Sequence, residues 1–346
     1  MTNATHASET NTPASPGAKT LLEVRNLSTD FVMNKGTVHA VIDVSFSVRE
    51  GEVLAIVGES GSGKSVTSLS VMRLLQHPGR VVGGEVFYRG RNLLALSKNE
   101  MRDIRGNQIS MIFQEPMTSL NPVFTVENQL TESIRTHMDL DHKATFARAV
   151  EMLALVGIPS PERRIKDYPH QMSGGMRQRV MTAMALSCDP QLLIADEPTT
   201  ALDVTIQAQI LALIGDLREK IGMAVLLVTH DLGVVAETAD RVVVMYCGRV
   251  VEEATAEQLF GRPMHPYTLG LLQSIPTMED VDDDEPLYMI PGMVPNPLNL
   301  PKGCAFADRC ARRFAPCTKS VPDLYECEGR KLRCFLFAPE REGVGA

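Results

Sequence analysis

Gly58-Glu59-Ser60-Gly61-Ser62-Gly63-Lys64-Ser65 follows the apolar run Glu52-Val53-Leu54-Ala55-Ile56-Val57 and precedes a helical pattern. Strand, glycine-rich loop and helix, in that order, turn G-x-x-x-x-G-K-[ST] from a string match into a phosphate site. Glycines leave backbone N–H groups free to wrap an anion, and the helix start adds a partial positive charge. Lys64 is expected to reach the β- and γ-phosphates, and the Ser65 hydroxyl to ligate Mg²⁺. A plain Gly/Ser turn is the bland alternative, and the flanking strand and helix tell against it. The stretch predicts an α/β nucleotide-binding fold.

Working outward, Leu192–Ala195 and Ala224–Val228 are continuous apolar runs, as expected for strands buried on both faces of a parallel sheet. Val204, Ala208, Leu211, Ile214 and Leu217 mark a crossover helix between them. Upstream, Leu21–Phe31 and Thr37–Arg49 flank Asn34-Lys35-Gly36 and predict a hairpin. A helix is expected over Lys64–Leu75 and a strand over Glu85–Tyr88, opened by Gly83-Gly84. Asn107–Gln114 carries a short buried strand. Thr125 to about Gly157 is helical, with Gly157 suited to a C-terminal cap. Another helix follows over about Met176–Ser187, and Arg241–Glu252 closes the core as a hairpin around Cys247-Gly248. The core is expected to end near Gly261. Pro266–Ile275 is read as a helix, the acidic run Met278–Glu285 as a solvated linker, and Pro286–Pro301 as a Pro-rich connection. There is no internal repeat.

Asp196-Glu197 ends the apolar strand before the crossover helix. An Asp there can hold Mg²⁺ opposite Ser65, and the next carboxylate can polarise an attacking water. Ser173-Gly174-Gly175 at a helix start repeats the anion-binding logic of the first loop. Gln114 and His230 each end a strand. Alone, the Ser-Gly-Gly reads as a flexible turn and the His as structural.

The chain has 346 residues and a formal net charge of −8, from 34 basic and 42 acidic side chains. That balance gives no electrostatic footprint for nucleic acid or anionic lipid. No apolar run approaches the ~18–20 residues of a membrane span. Met1–Lys19 is Thr/Ala/Ser/Pro-rich and reads as a disordered tail, not a signal peptide, which predicts a cytoplasmic chain with reduced thiols. Five of the seven cysteines crowd into Cys304–Cys334. In that compartment, crowding argues for metal more than for disulfides.

In this order the motifs resemble the ATP-binding cassette (ABC) ATPases. The family's signature, usually Leu-Ser-Gly-Gly-Gln, stands here as Met172-Ser173-Gly174-Gly175-Met176; both methionines depart from it, while the hydroxyl and glycines are kept. Gln114 falls where the Q-loop glutamine belongs, Thr200-Ala201-Leu202-Asp203 looks like the D-loop, and His230 matches the switch histidine. The resemblance implies a mixed core sheet with helices, an antiparallel β subdomain, a helical signature subdomain at about 115–180 and a Cys-containing C-terminal extension. It divides the chain into a tail at 1–20, a nucleotide-binding domain at 21–261 and an extension at 262–346. It implies ATP held by Gly58, Glu59, Ser60, Gly61, Ser62, Gly63, Lys64 and Ser65, and capped by Ser173, Gly174 and Gly175 of a facing domain. Mg²⁺ is expected on Ser65, Gln114 and Asp196, and catalysis from Glu197, His230 and Gln114. Phe31 is the candidate for base stacking, with a core phenylalanine as the alternative.

Downstream, Ser173-Gly174-Gly175-Met176-Arg177-Gln178-Arg179, His230-Asp231-Leu232-Gly233-Val234-Val235, His265-Pro266-Tyr267-Thr268, Ile290-Pro291-Gly292 and the cysteine tail are similar to the oligopeptide/dipeptide importer ATPases. Glu115-Pro116-Met117-Thr118-Ser119-Leu120-Asn121-Pro122 looks like the D-type member of the paired ATPases. The resemblance implies a heterodimer with a related chain, two membrane permeases contacted around Gln114–Val126, and an extracytoplasmic binding protein. It places the chain peripherally, on the cytoplasmic face of the plasma membrane. Glutathione and nickel importers share this appearance, and a soluble ABC ATPase acting on DNA or the ribosome is the rival class. Cys304, Cys310, Cys317 and Cys334 are spaced too widely for a C-x₂-C knuckle. Related importers imply a [4Fe–4S] cluster on this pattern; Zn²⁺ and free or oxidised thiols remain open, as does whether Cys327 or Cys334 is the fourth ligand.

Overall fold

The computed structural model describes residues 18–114, 120–199, 204–275 and 288–339. Most of the expected tail, positions 115–119, the expected D-loop at 200–203 and the acidic run lie outside these. The chain begins with β1 (Thr20–Met33), β2 (Gly36–Arg49) and β3 (Val53–Val57), then α1 (Lys64–Val71), β4 (Gly79–Tyr88), β5 (Arg91–Asn92), α2 (Lys98–Ile104) and β6 (Ile109–Ile112). A helical block follows: α3 (Val126–His137), α4 (His142–Leu155), α5 (Pro161–Arg164) and α6 (Gly174–Leu186). The core continues with β7 (Leu192–Asp196), α7 (Val204–Ile221), β8 (Ala224–Val228), α8 (Leu232–Thr238), β9 (Arg241–Tyr246), β10 (Arg249–Thr255) and α9 (Ala256–Gly261). The extension adds α10 (Pro266–Gln273), β11 (Tyr325–Cys327) and β12 (Arg330–Leu332).

Among the described residues these strands form two sheets. One has the order β2-β1-β4-β5 and is antiparallel; the other has the order β11-β12-β10-β9-β3-β8-β7-β6. In the second sheet β6, β7, β8, β3 and β9 are parallel. Every residue of β3, β7 and β8 is buried, which is why these segments read as unbroken apolar runs. Their alternating side chains serve two different cores. Val53, Ala55 and Val57 pack with Leu130, Leu153 and Val180 of the helical block, whereas Leu54 and Ile56 pack with Leu22, Val44 and Val86 of the antiparallel sheet. The parallel sheet is thus the middle layer, and the glycine-rich loop leaves β3, which lies between β9 and β8.

Neighbouring elements move several expected boundaries. α1 ends at Val71 and not at Leu75, because Arg73 takes a left-handed φ of 53°. β4 begins at Gly79 and not at Glu85, since β1 pairs with it as far as Phe31↔Gly79 through an irregularity between Arg25 and Ser28. The helical block breaks where Asp141 caps α4, its carboxylate accepting from the Ala144 N–H at 2.7 Å. Gly157 ends α4 at φ +73°.

The extension is bonded into the core. β12 pairs antiparallel with β10 (Glu252↔Leu332, Glu253↔Lys331), so the core sheet continues past Gly261. Glu252, fully buried, accepts from the Met264 and His265 N–H groups at 3.1 and 2.9 Å. Arg241 donates to Glu52 at 2.8 Å and pairs with Glu253.

Candidate functional site: the loop at the end of β3

The loop's backbone sets its sequence. Gly58 and Gly63 have φ of 151° and 99°, and a Cβ on them would lie 2.2 Å from the Met245 carbonyl oxygen and 2.4 Å from that of Ala40. Only glycine fits both places. Lys64, at the start of α1, is buried; its Nζ donates to the carbonyls of Gly58 (2.7 Å) and Glu59 (3.1 Å). Burial lowers the Lys64 pKa, against the pull of the Glu197, Asp196 and Glu59 carboxylates. A polyphosphate would give this ammonium stronger acceptors than two carbonyls. Ser62 Oγ is buried in the loop with no hydrogen-bond partner among the described residues.

Ser65 Oγ donates to Asp196 Oδ1 at 2.9 Å, joining the start of α1 to the end of β7. Burial pushes the Asp196 carboxyl up to about 6, with Glu197 adding to the shift and the Ser65 hydrogen bond opposing it. A buried carboxylate next to a hydroxyl is an oxygen donor pair that suits a hard cation, and the cation would relieve the cost of ionisation. Gln114 lies just beyond β6; its Nε2 donates to Glu197 Oε2 at 2.8 Å, so its described bond goes to Glu197 and not to Asp196.

Glu197 has a left-handed φ of 46°, which turns the chain at the end of β7. Its Oε1 lies 3.2 Å from His230 Nδ1. The two bonds hold the carboxylate from both sides. Gly58, Glu59, Ser60, Gln114, Glu197 and His230 line one open cleft of about 380 Å³. It is a place where a water between Glu197 and a phosphate could be oriented.

Ser173 and Gly174 lie outside this cleft and are exposed. Ser173 caps α6, its hydroxyl accepting from the Met176 N–H at 3.3 Å, and Gly175 packs against Ile206. Phe31 sits half-buried in the antiparallel sheet with its ring against Gly79, away from the cleft-lining set. Four cysteines gather elsewhere: Cys304, Cys310, Cys317 and Cys334 line one tight pocket with only about 10 Å³ of free space, together with His265, Phe306 and Arg312. Cys327 lies in β11 and is not among them. Burial raises the Cys304 and Cys310 thiols and takes Cys334 to about 12. Among the described residues no group of three or more His, Cys, Asp or Glu is placed to hold a single metal ion.

Two contacts to the loop were not foreseen. Tyr267 Oη accepts from the Glu59 N–H at 2.8 Å, and Arg309 forms a two-pronged ion pair with the Glu59 carboxylate at 2.7 and 2.9 Å. Local spacing carries no signal for a pair separated by 250 positions. The adjoining segments His265-Pro266-Tyr267-Thr268 and Ile290-Pro291-Gly292 stood out only as family tokens.

Comparison with known proteins identifies the family. Residues 41–200 match the ABC transporter family, and residues 251–317 match the oligopeptide/dipeptide transporter C-terminal region. The oligopeptide transport ATP-binding protein AppD of Bacillus subtilis is 54% identical over 94% of this chain and 98% of its own length. OppD of the same organism is 55% identical over 94% of this chain and 91% of its own. Among solved structures, the ATP-binding cassette MJ0796, a post-hydrolysis dimer bound to ADP and Pi, superposes with a TM-score of 0.62 at 29% identity, covering 68% of this chain and 98% of that one. CbiO1 of Clostridium perfringens, part of a cbiONQ complex, gives 0.59 at 26% identity, covering 70% and 91%. With a P-loop, an acidic strand end and both family regions in order, the chain belongs to the ABC transporter ATPases, among the oligopeptide transport ATP-binding proteins.

Proposed function

We propose that this chain is the ATP-hydrolysing subunit of a peptide importer and that two cassettes close on ATP and reopen after hydrolysis. The single observation that carries the chemical part is the Gln114–Glu197–His230 arrangement facing the loop across one cleft. In this reading Gly58–Ser65 wrap the phosphates and Lys64 leaves its two carbonyls for them. Ser65 and Asp196 would hold Mg²⁺, with Gln114 nearby; when bound, the ion would neutralise phosphate charge. Glu197 orients water, steadied by Gln114 and His230. The exposure of Ser173 and Gly174, away from their own chain's cleft, supports their reaching a second cassette's nucleotide. Phe31 would stack on the base only if its ring leaves Gly79, because it is not among the residues lining the cleft.

Peptides are the proposed cargo because the similar proteins are named for them; glutathione and nickel are the alternatives. A related second ATPase, two permeases and an extracytoplasmic binding protein complete the proposed assembly, on the cytoplasmic face of the plasma membrane. Among the described residues no helix is long and apolar enough to cross a membrane, so the permeases would supply the path. The bounds 21–261 and 262–346 mark the proposed regions, joined by the β10–β12 pairing.

Glu197→Gln tests the chemistry. It should keep ATP binding, lower turnover by about 10²–10³-fold and trap a closed dimer. Normal turnover would contradict the assignment.

A second reading concerns the cysteine cavity. Four cysteines, two of them buried, line one tight pocket, and a [4Fe–4S] cluster is the group proposed for them on the strength of their clustering alone, with Zn²⁺ as the alternative. Cys304, Cys310, Cys317 and Cys334 would be its ligands; when bound it would supply one-electron chemistry or a covalent staple. Iron and acid-labile sulfide should be present in anaerobically purified protein and lost in Cys304→Ser. Absence of both from the wild type would sink this reading.

A further inference from the structure

The Glu59 carboxylate stands in the phosphate loop, on the lining of the cleft. It lies close enough to Lys64 to act on that ammonium's pKa. A bare negative charge there opposes a polyphosphate by simple Coulomb repulsion. Arg309 meets it with both guanidinium nitrogens, at 2.7 and 2.9 Å, in the strong two-pronged geometry. Arg309 comes from the extension and is itself 8% exposed.

The rest of the guanidinium is held in place. Nε donates to the Pro291 carbonyl at 3.1 Å, Nη1 to Tyr246 Oη at 3.2 Å, and Nη2 lies 3.5 Å from the Ile290 carbonyl. The stem packs against Gly292, where a Cβ would come within 3.2 Å of Arg309 Cγ. Tyr246 and Tyr267 pack against Phe306, three residues before Arg309. Ile290-Pro291-Gly292 and the aromatic cluster therefore form a socket aiming one arginine at one loop residue. Tyr267 adds a hold on the Glu59 N–H.

We propose that Arg309 is a positioning residue for nucleotide binding: the extension neutralises and holds the Glu59 carboxylate so that the phosphate loop accepts a polyphosphate. The inference rests on the nucleotide reading of Gly58–Ser65. A purely structural tie would act through folding. A charge-neutralising tie acts on nucleotide affinity, and it becomes dispensable once Glu59 has no charge.

The test is calorimetric titration of the full chain with MgADP, beside steady-state ATP hydrolysis. Arg309→Gln should weaken MgADP binding by about tenfold and raise KM for ATP in parallel, leaving kcat within about threefold. Glu59→Gln in the same chain should restore affinity to within about threefold of wild type. Unchanged affinity in Arg309→Gln, a loss of kcat alone, or a double variant as weak as the single would each overturn the proposal. If Arg309→Gln does not fold, Glu59→Gln alone decides: it should bind MgADP at least as tightly as wild type, and weaker binding would overturn the idea. Lys64→Ala must abolish MgADP binding; if it does not, the loop reading itself fails, whatever Arg309 does.

Discussion

His265 shows how one buried side chain joins the extension's stability to pH. It caps α10, with Nδ1 accepting from the Tyr267 N–H at 3.1 Å, and it is fully enclosed. Burial pulls its pKa down to about 4 from an ordinary 6.5. Between those values the unfolded chain takes a proton that the folded chain refuses. Stability from neutral His265 is therefore complete above pH 6.5 and is lost as pH falls toward 4, by roughly 3 kcal/mol in all. His265→Asn, which keeps a capping acceptor without titrating, should flatten the denaturant-midpoint profile between pH 7 and 4.5. Profiles that stay parallel would show that His265 does not set the slope. At this scale the sequence was readable wherever chemistry sits at short spacing. Lys64 and Ser65 were legible from their loop, and Asp196-Glu197 from its strand end. Arg309 was not, because its partner is close only in space.

Elements were legible where burial imposes a pattern. The continuous runs Leu192–Ala195 and Ala224–Val228 became β7 and β8 because helices and an antiparallel sheet cover both faces. Ends were less readable when a neighbour sets them: β1 draws β4 back to Gly79, and Arg73 stops α1 early. The join of β10 to β12 had no sequence signal, since Glu252 looks like a surface residue and is in fact buried. Its carboxylate satisfies two backbone N–H groups leading into α10, with Arg330 3.8 Å away. Glu252→Ala would leave those donors and that charge without their acceptor, at a cost of about 3–5 kcal/mol. Thermal unfolding should report a lowered melting temperature and earlier proteolysis of the extension. A variant as stable as the wild type would show that the join is held by β pairing alone.

Over the whole molecule, a cassette and an extension share one sheet, and the extension's arginine reaches the cassette's phosphate loop. The cassette was legible because its motifs come in a fixed order; cargo was not, because those motifs report nucleotide chemistry and not what is carried. The central claim is that ATP turnover here drives peptide uptake. The most direct measurement is accumulation of labelled oligopeptides by liposomes carrying the complete transporter, with its binding protein added, and with ATP supplied on this chain's side. The account predicts ATP-dependent peptide accumulation that Glu197→Gln abolishes. Peptide uptake indifferent to that substitution, or ATP-driven uptake of glutathione or nickel with none of peptide, would contradict it.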